Sequence, residues 1–591
     1  MNAIAKPVPA SRHWLRALEA VSGLDQDPRR CFGTILNDMA ETHGANPALI
    51  DETHALSYRE LAHLANRYAD WARQNFAPGA AIALLMRNCA EYVAIWAGLS
   101  QAGITVALIN TNLTGTPLVH AIRAAAAKAV IVEAELTDVI QETQADLAEL
   151  PVWTHGAADS GEHAEWPRID HAILAHSTAR PPAIDAAAAP ALLIYTSGTT
   201  GLPKAAKISH ARVLQWSYWF AGLMETEERD RLYNCLPLYH STGGVCAIGA
   251  VLVRGGAAII RRRFSVSRFW QDVTETGATI FQHIGELCRY LLRAEPGPYE
   301  ERHGLRLCCG NGLREEVWRE FERRFRIPRI LEFYAATEGA VSLYNCDGKP
   351  GAIGRVPGFL AHRFPLALVQ CDPATGEHPR GESGFCLPCE ANEIGEAIGR
   401  LDPEHTSARF EGYADAAQSG KKLLRDVFRE GDLWYRTGDL MRRDEAGYYY
   451  FVDRLGDAFR WKGENVSASE VAAVIANCPG VVDAVVFGVR LPHHEGQAGM
   501  AAIAIDREFD LAILRAELIR RLPTYARPVF IRRCDAIDRT ATFKLSAARL
   551  KQDGYIHAPT HDLWFDDRKA NAYTPFGTAQ RLMLESGVLR T

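Results

Sequence analysis

The chain has 591 residues, more than a single hydrophobic core organises, so we expect two or three domains. Hydrophobic residues make up 48% of it and charged residues 23%, which is typical of a soluble globular protein. The formal net charge is −6, and no basic run appears that could neutralise a nucleic-acid backbone. These quantities exclude most nucleic-acid-binding classes and favour an enzyme that acts on small molecules.

We expect neither a secretory signal nor a membrane-spanning segment in this sequence. The first twenty residues lack the apolar segment of a secretory signal. The most apolar regions, Ala80–Asn110 and Gly243–Ile260, are interrupted by charges before they reach the roughly 20 residues that a membrane-spanning helix needs. Thirteen cysteines in a long chain indicate a reducing compartment, and the lone pair Cys386 and Cys389 is too little for a metal site. We expect a cytoplasmic protein, and peripheral contact with the inner face of a membrane stays open.

The first half of the chain alternates between helical and strand-like patterns. Ser57–Glu60 is a capping box that predicts the start of a helix. The apolar runs Ala80–Met86 and Ile104–Ile109 are typical of buried strands, and Glu91–Ala102 between them is typical of a helix. The segment His155–Pro190 has the composition of a loose connection. This alternation predicts an α/β fold with parallel sheets.

The stretch from Leu192 to Lys207 reads LLIYTSGTTGLPKAAK. A buried strand, Leu192–Tyr195, leads into a run of hydroxyls and glycines whose donors suit an anion such as phosphate. The run lacks the GK[ST] of a Walker loop, and Pro203 before Lys204 disfavours a helix at that point. The residues predicted to contact phosphate are Thr196, Ser197, Gly198, Thr199, Thr200, Gly201 and Lys204.

The predicted pattern of helices and strands changes after about Arg454. We place a domain boundary near Leu455, which gives an N-terminal domain of residues 1–455 and a C-terminal α+β domain of residues 456–591. The predicted C-terminal elements are a helix capped at Ser467–Glu470, strands Val481–Val489 and Met500–Ile505, and a helix Leu511–Leu522.

Several motifs together carry a family resemblance. YTSGTTGLPK closely resembles the signature of the AMP-forming acyl-adenylate superfamily, which includes acyl-CoA synthetases, peptide-synthetase adenylation domains and luciferases. The other motifs of that superfamily follow in order: Tyr334–Gly339, Tyr435–Asp439, Asp453–Arg454 and Thr542–Lys544. Within it, the chain resembles the fatty acid transport protein / very-long-chain acyl-CoA synthetase family at Cys309–Arg314, Asp457–Ser467, Leu522–Pro528, Phe543 and Leu563–Ala570.

The resemblance implies both a fold and a reaction. The fold would be a large N-terminal adenylate-forming domain with parallel sheets and helices, plus a small mobile α+β C-terminal domain. The reaction would be the ATP-dependent ligation of a long-chain or very-long-chain fatty acid to coenzyme A, through an acyl-AMP intermediate, with release of AMP and pyrophosphate. ATP, Mg²⁺ and coenzyme A would be required.

The same resemblance assigns catalytic roles. Thr196 and Lys204 would hold the β- and γ-phosphates with the rest of their loop, Glu338 would bind Mg²⁺, and Lys544 would bridge the substrate carboxylate and the α-phosphate. His240 and Gly243 belong to a motif beside the acyl pocket, and His240 would orient the carboxylate or gate the site.

Nucleotide and coenzyme A contacts are implied as well. Tyr334 would stack on adenine against a wall formed by Gly310, Asn311 and Gly312, and Thr337 would contact the α-phosphate. Asp439 would accept hydrogen bonds from both ribose hydroxyls, as acids do in other nucleotide sites, with support from Arg454. The residues placed beside the pantetheine arm are Lys462, Gly463 and Glu464.

Other functions remain open at this point. Within the enzyme class these are a bile-acid or carnitine-type CoA ligase and an adenylating enzyme that loads a carrier protein. From another class comes a fatty-acid uptake or binding protein with a vestigial nucleotide site, which the presence of Lys204, Glu338, Asp439 and Lys544 disfavours. Uptake driven by CoA trapping is compatible with catalysis. The expected partners are small-molecule substrates, the acyl chain length stays open, and a homodimer is compatible with the sequence.

Overall fold

The computed structural model describes residues 9–147, 150–156, 166–186, 189–196, 202–372, 375–402, 409–540 and 545–586. The chain divides into two compact units: Met1–Pro365 with Gly399–Leu423, and Leu366–Ile398 with Leu424–Thr591. The chain therefore passes from one unit to the other at three points. The boundary predicted near Leu455 falls inside the second unit and stays a prediction.

The helices are mostly short, and several begin at the caps that the sequence provides. The α-helices of the described residues are α1 Ala10–Val21, α2 Phe32–His43, α3 Tyr58–Asn75, α4 Ala90–Gln101, α5 Gly115–Ala124, α6 Thr137–Gln141, α7 Ile169–Ala172, α8 His210–Met224, α9 Ile248–Leu252, α10 Phe269–Glu275, α11 Gly285–Arg293, α12 Glu315–Phe325, α13 Ala416–Gly420, α14 Ala468–Ala476, α15 Leu511–Arg521, α16 Ala548–Asp553 and α17 Thr578–Glu585.

The strands alternate with these helices in the first unit and cluster in the second. They are β1 Pro47–Ile50, β2 Ala55–Ser57, β3 Ala81–Leu85, β4 Thr105–Leu108, β5 Ala127–Glu133, β6 Val152–His155, β7 Leu192–Thr196, β8 Lys204–Ile208, β9 Arg231–Asn234, β10 Ala257–Ile260, β11 Ile280–Ile284, β12 Leu307–Asn311, β13 Ile330–Ala335, β14 Ser342–Asn345, β15 Leu366–Val369, β16 Ile394–Arg400, β17 Leu423–Arg425, β18 Leu433–Arg443, β19 Tyr449–Arg454, β20 Phe459–Trp461, β21 Glu464–Val466, β22 Val481–Val489, β23 Ala498–Ile505, β24 Phe530–Cys534, β25 Leu563–Asp567 and β26 Ala572–Pro575.

Two sheets with parallel inner strands build the described part of the first unit. One has the strand order β14-β13-β12-β11-β9-β10-β1-β2, and the other has the order β6-β5-β3-β4-β7-β8. The inner strands pair in parallel, and among the described strands only the edge strands β14, β2 and β8 run antiparallel to their neighbours. Strands such as β3 and β4 are buried along their whole length, because a parallel sheet is covered on both faces. The predicted α/β class with parallel sheets is confirmed.

Three sheets lie in the described part of the second unit. The first has the order β15-β16-β18-β17 with β19 beside β18, the second is the hairpin β20-β21, and the third has the order β22-β23-β24-β25-β26. The third sheet packs with α14 and α15 around buried residues such as Ile475, Phe487 and Leu518. This α+β texture is the one that the sequence predicts for the C-terminal region.

Local predictions agree closely with these bounds. Helix α3 begins at Tyr58, where the Ser57 N–H donates to Glu60 Oε2 at 2.8 Å and the Glu60 N–H donates to Ser57 Oγ at 3.3 Å. Strand β22 spans the predicted residues, whereas β23 begins two residues before Met500. The connection predicted as loose contains the short helix α7. The limited length of α7, four residues, explains why no periodic pattern announces it.

All thirteen cysteines are free thiols. Ten of them are buried, and Cys89, Cys371 and Cys534 are half-buried. In the part of the chain that the structure describes, no helix combines the length and the apolar character needed to cross a membrane.

Candidate functional site

Several predicted site residues of the first unit collect at one edge of its eight-stranded sheet, whereas Thr196 and Lys204 lie on β7 and β8 of the other sheet. Strands β9, β11, β12 and β13 run parallel, so their carboxyl ends meet at this edge. The segments that follow β9, β12 and β13 carry, respectively, His240, Gly312 and Glu338. Ligands of open α/β sheets bind outside the carboxyl ends of the strands, so this edge is the expected place for a site.

The two walls predicted for adenine lie on neighbouring strands. Gly310 on β12 pairs with His283 on β11 and with Glu332 on β13. A Cβ on Gly310 would lie 2.1 Å from the carbonyl oxygen of His283, so only glycine fits there. After Asn311 and Gly312, the N–H of Leu313 donates to buried Glu332 Oε1 at 3.0 Å and so fixes the loop. Tyr334 is half-buried at the end of β13.

Glu338, the predicted metal ligand, follows β13 and is only 6% exposed. Its Oε1 accepts a hydrogen bond from the hydroxyl of Tyr413. The neighbouring Thr337 has its hydroxyl 3.3 Å from that of Ser241. A buried carboxylate at a strand end is a hard oxygen donor of the kind that Mg²⁺ prefers, so the residue present fits the predicted ion.

Lys204 begins a strand, and no helix starts there. Strand β8 runs antiparallel to β7, and Thr196 lies directly opposite Lys204 in the register. Burial lowers the pKa of Lys204, and Lys422 and Lys421 lower it further. The predicted contacts Ser197, Gly198, Thr199, Thr200 and Gly201 lie outside the described residues, as does Lys544. The geometry differs from a Walker loop, in which the lysine stands at a helix N-terminus.

Tyr413 is a site residue that the sequence did not indicate. Its segment pairs with the outer edge of β8, where the Ala414 N–H donates to Ala205 O at 2.8 Å and Lys207 N–H donates to Gly412 O at 3.0 Å. The ring of Tyr413 lies under the Lys204 ammonium, with 5.8 Å between Nζ and the ring centroid.

The Tyr413 hydroxyl connects the two sheets of the first unit. It donates to Glu338 and shares a hydrogen bond with the Thr196 side chain. Burial raises the pKa of Tyr413, and the nearby Glu338 carboxylate raises it further. The phenol therefore stays protonated at neutral pH and can donate a hydrogen bond to Glu338. No spacing in the sequence signals this tyrosine, because it stands in a loop 75 residues after Glu338.

His240 and Gly243 lie at the turn after β9. His240 is half-buried, and its carbonyl oxygen accepts from the Gly244 N–H at 2.7 Å. A π-helix follows at Thr242–Ala247 and includes buried Gly243. Asn88 holds this turn, since its amide donates to Leu236 O at 2.9 Å and its carbonyl oxygen accepts from the Leu238 N–H at 2.9 Å. Short π-helical segments occur frequently at functional sites.

In the second unit, the structure brings Asp439 and Arg454 together. The two residues face each other across the antiparallel strands β18 and β19. Arg454 Nε lies 3.6 Å from Asp439 Oδ1, and the Asp439 side chain is 14% exposed. An acid at this position can accept hydrogen bonds from a diol, and the arginine keeps a positive charge beside it.

Lys462 and Gly463 form the two-residue turn between β20 and β21. Both have positive φ angles, 53° and 85°, which is the backbone of the tight turns that connect twisted strands. Burial lowers the pKa of Lys462, and Arg568 lowers it further. Glu464 is exposed at the start of β21. The turn conformation itself explains the glycine, in addition to any role toward a pantetheine arm.

Comparisons with known proteins identify the family of the chain. Residues 36–385 match the family model described as AMP-binding enzyme, and residues 470–544 match the model described as AMP-binding enzyme C-terminal domain. Long-chain fatty acid transport protein 1 of Mus musculus is 40% identical over 540 residues, which cover 89% of this chain and 83% of that protein. Long-chain fatty acid transport protein 3 of Homo sapiens is 37% identical over 87% of this chain and 76% of its own length.

Solved structures match at the level of the fold. The anthranilate CoA ligase AuaEII in complex with anthranoyl-AMP superposes with a TM-score of 0.75 at 20% identity, covering 88% of this chain and 97% of that one. The fatty acyl CoA synthetase of Mycobacterium tuberculosis superposes with a TM-score of 0.61 at 23% identity, covering 90% and 99%. Both are similar to this chain in their arrangement of strands and helices.

Proposed function

The chain belongs to the AMP-binding enzyme family, and within it to the long-chain fatty acid transport proteins, and on this premise we propose that it is an ATP-dependent fatty acid–CoA ligase. The substrate would be a long-chain or very-long-chain fatty acid. The products would be the acyl-CoA thioester, AMP and pyrophosphate. Identity near 40% over most of the chain supports the substrate class, since the relatives are named for long-chain fatty acids.

The reaction follows from the chemistry of a carboxylate. A thiolate cannot displace oxide from it, so the acid first attacks the α-phosphorus of ATP, and pyrophosphate leaves. The thiolate of coenzyme A then attacks the acyl carbon of the mixed anhydride, and AMP leaves. No protein nucleophile is needed, and catalysis rests on positioning and on neutralising charge.

The observation that carries the proposal is the group formed by Thr196, Lys204, Glu338 and Tyr413. A lysine with two further lysines near enough to lower its pKa makes a concentrated positive field for a polyphosphate. Glu338 provides a buried carboxylate that accepts a hydrogen bond from Tyr413, the residue whose ring lies under Lys204. The arrangement places the positive charge of Lys204 near a carboxylate oxygen that can bind a hard cation. A nucleotide with bound metal requires both.

In this scheme the main predicted residues would act as follows. Lys204 and Thr196 would hold the departing phosphates, and Glu338 would hold Mg²⁺, which would neutralise phosphate charge. Tyr334 and the Gly310–Gly312 loop would enclose adenine, while Asp439 and Arg454 would hold the ribose. Lys544 would bridge the two reacting groups. His240 would orient the acid, and the Lys462–Glu464 turn would meet coenzyme A.

We place the ligase in the cytoplasm, working on acids that reach it from the inner face of a membrane. Conversion to a CoA ester would keep the acid from leaving again, so ligase activity and fatty-acid uptake would be one function. A bile-acid or carnitine-type CoA ligase is the competing substrate class, and the assay below separates the two.

The test is a pyrophosphate-release assay over fatty acids of increasing length and a sterol acid, with and without coenzyme A. We expect pyrophosphate with long acids and no release of inorganic phosphate. Lys544→Ala should lower acyl-AMP formation about a hundredfold while thioester formation from supplied acyl-AMP continues. Lys551→Ala is the matched control, because Lys551 pairs with Asp457 at 2.6 Å and has no assigned role. Release of phosphate, or an undiminished Lys544→Ala variant, would contradict the proposal.

A further inference from the structure

A fully buried carboxylate stands behind the residues assigned to the ribose. Glu396 on β16 is 0% exposed. Its Oε2 accepts from His378 Nε2 at 2.7 Å and from Arg436 Nη2 at 2.8 Å. Arg436 Nε lies 3.1 Å from the same oxygen, so the guanidinium engages it with two nitrogen atoms. Isolated buried carboxylates are costly, and this one is compensated by the Arg436 guanidinium and by the hydrogen bond with His378.

The other oxygen of Glu396 reaches the backbone next to Asp439. Glu396 Oε1 accepts from the Gly438 N–H at 3.0 Å. The following residue of β16, Ala397, uses its carbonyl oxygen to accept from the Thr437 hydroxyl at 2.6 Å, and that hydroxyl in turn accepts from the Asp439 N–H at 3.0 Å. Two adjacent residues of β16 therefore fix the backbone of three consecutive residues that end at Asp439.

The electrostatics of the group favour a fixed charge. Burial alone would raise the pKa of Glu396, but the hydrogen bonds from His378 and Arg436 hold that pKa below its ordinary value. Glu396 is therefore ionised at neutral pH, and an ionised carboxylate accepts strong hydrogen bonds from N–H donors. His378 has a side chain that is 5% exposed, so water competes little for its ring.

We propose that His378, Glu396 and Arg436 form a positioning network that orients Asp439 and so sets the preference of the enzyme for a nucleotide with both ribose hydroxyls. The inference rests on the proposed function, in which Asp439 binds the ribose. A carboxylate that accepts from two neighbouring hydroxyls must be aligned with both at once, and such alignment depends on the residues that support it. The three residues of the network act through the Gly438 N–H and touch no substrate atom themselves.

The network has a consequence that a purely structural role lacks. Loosening the backbone at Gly438 should weaken the contacts of Asp439 with the 2′- and 3′-hydroxyls more than the contacts of other residues with adenine or phosphate. Affinity for ATP should then fall toward that for its deoxy analogues. A role confined to stability would weaken the binding of all these nucleotides in equal proportion.

The experiment measures equilibrium binding of ATP, 2′-deoxyATP and 3′-deoxyATP to the full-length chain. His378→Phe removes the donor to Glu396, and we expect the preference for ATP over each deoxy analogue to fall roughly tenfold. His378→Gln places an amide nitrogen near the position of Nε2 and should restore most of the preference. His561→Phe is the control, since His561 has a 76% exposed side chain beside Asp562.

The outcomes separate the network from the proposed function. Asp439→Asn should abolish the preference, and a retained preference in that variant would overturn the role of Asp439 itself. Loss of preference in Asp439→Asn, with an unchanged ratio in His378→Phe, would overturn the network alone. If His378→Phe fails to fold, Arg436→Lys gives the decision, because it keeps the charge and loses the two-nitrogen contact with Glu396.

Discussion

The hydroxyl of Tyr413 contacts two of the side chains that the sequence assigns to phosphate and metal, Thr196 and Glu338. Its ring also lies beneath the ammonium of Lys204. One side chain thus touches all three, and their mutual arrangement depends on it. Because it is neutral and a donor, it can hold the Glu338 carboxylate in place without adding a charge that would repel the nucleotide.

The first prediction concerns this hydroxyl. Tyr413→Phe should weaken Mg²⁺-dependent binding of ATP about fivefold, since Glu338 loses the donor that aligns it. Titrating ATP with and without Mg²⁺ measures the effect. In a Glu338→Gln background the same substitution should add little, because the two residues act as one unit. Tyr450→Phe is the control, as its hydroxyl donates to Asp444 Oδ2 at 3.0 Å. Additive effects of Tyr413→Phe and Glu338→Gln would contradict the prediction.

A second prediction at this scale concerns acid stability. Burial lowers the pKa of His210 to about 4, whereas an unfolded histidine titrates near 6.5. As pH falls, the unfolded chain therefore takes up this proton first. Above about pH 6.5, neutral His210 makes its full contribution to the free energy of unfolding. This contribution is lost progressively as the pH falls toward 4, by roughly 3 kcal/mol in total.

His210→Leu should remove that pH dependence. Between pH 6.5 and pH 4 the unfolding free energy of the variant should fall less steeply than that of the unmodified chain, as measured by urea denaturation at several pH values. His561→Leu, at an exposed position, should keep the original slope. Equal slopes for His210→Leu and the unmodified chain would show that His210 is protonated in the folded state as readily as in the unfolded one.

At the scale of elements, the glycine-rich loop that first indicated a phosphate site leads into strand β8 at Lys204. The sequence predicted the buried strand before Thr196 and disfavoured a helix after Pro203, and both predictions are confirmed by β7 and β8. Local patterns sufficed there, because burial and proline act on neighbouring residues. The position of the lysine opposite Thr196 is a matter of register, which no local pattern specified.

The turn between β20 and β21 gives a prediction at this scale. Gly463 has a φ of 85°, so a Cβ would strain the backbone although it would meet no atom within 4 Å. Gly463→Ala should therefore lower stability by about 1 kcal/mol through backbone strain alone. Chemical denaturation measures the loss. Gly420→Ala, at the end of α13, also has open space and no positive φ, and it should cost nothing. Equal effects of the two substitutions would refute the strain argument.

The candidate site shows where sequence reasoning stops. Gly310, Tyr334, Thr337 and Glu338 stand in short motifs that resemble those of a known family, and the structure puts these motifs at the ends of parallel strands; their roles stay predictions. Tyr413 could not be predicted, since its contact with Glu338 arises only when distant segments pair. The same holds for His378 and Glu396, which reach Asp439 through hydrogen bonds across strands.

At the scale of the whole molecule, the main feature is that the two units exchange segments, because the chain passes between them three times. Residues 399–423 complete the first unit, although both flanking segments belong to the second. Within the first unit, Glu411 accepts from the Ser209 N–H at 2.6 Å and lies 3.4 Å from Arg212. The fold class followed from alternating patterns in the sequence, whereas this exchange could not be predicted, because it depends on which edges pair.

The exchange predicts how the chain tolerates truncation. A fragment of residues 1–385 lacks Glu411 and Tyr413, so the edge of β8 and the start of α8 lose their partners. We expect it to aggregate or to melt well below a fragment of residues 1–455, which keeps this segment and strands β15 to β19. Size-exclusion chromatography and thermal unfolding compare the two. Equal behaviour would show that residues 399–423 contribute little to the first unit.

The register of β7 and β8 also constrains which mutations the gene can accumulate during evolution. Side chains along a strand alternate between faces, so Lys204 shares its face with Ala206 and with Tyr413, which lies opposite Ala206. One codon inserted between those positions would turn the lysine to the other face of the sheet. Selection should therefore remove insertions and deletions from this short stretch of DNA far more strictly than substitutions at Ala205 or Ala206.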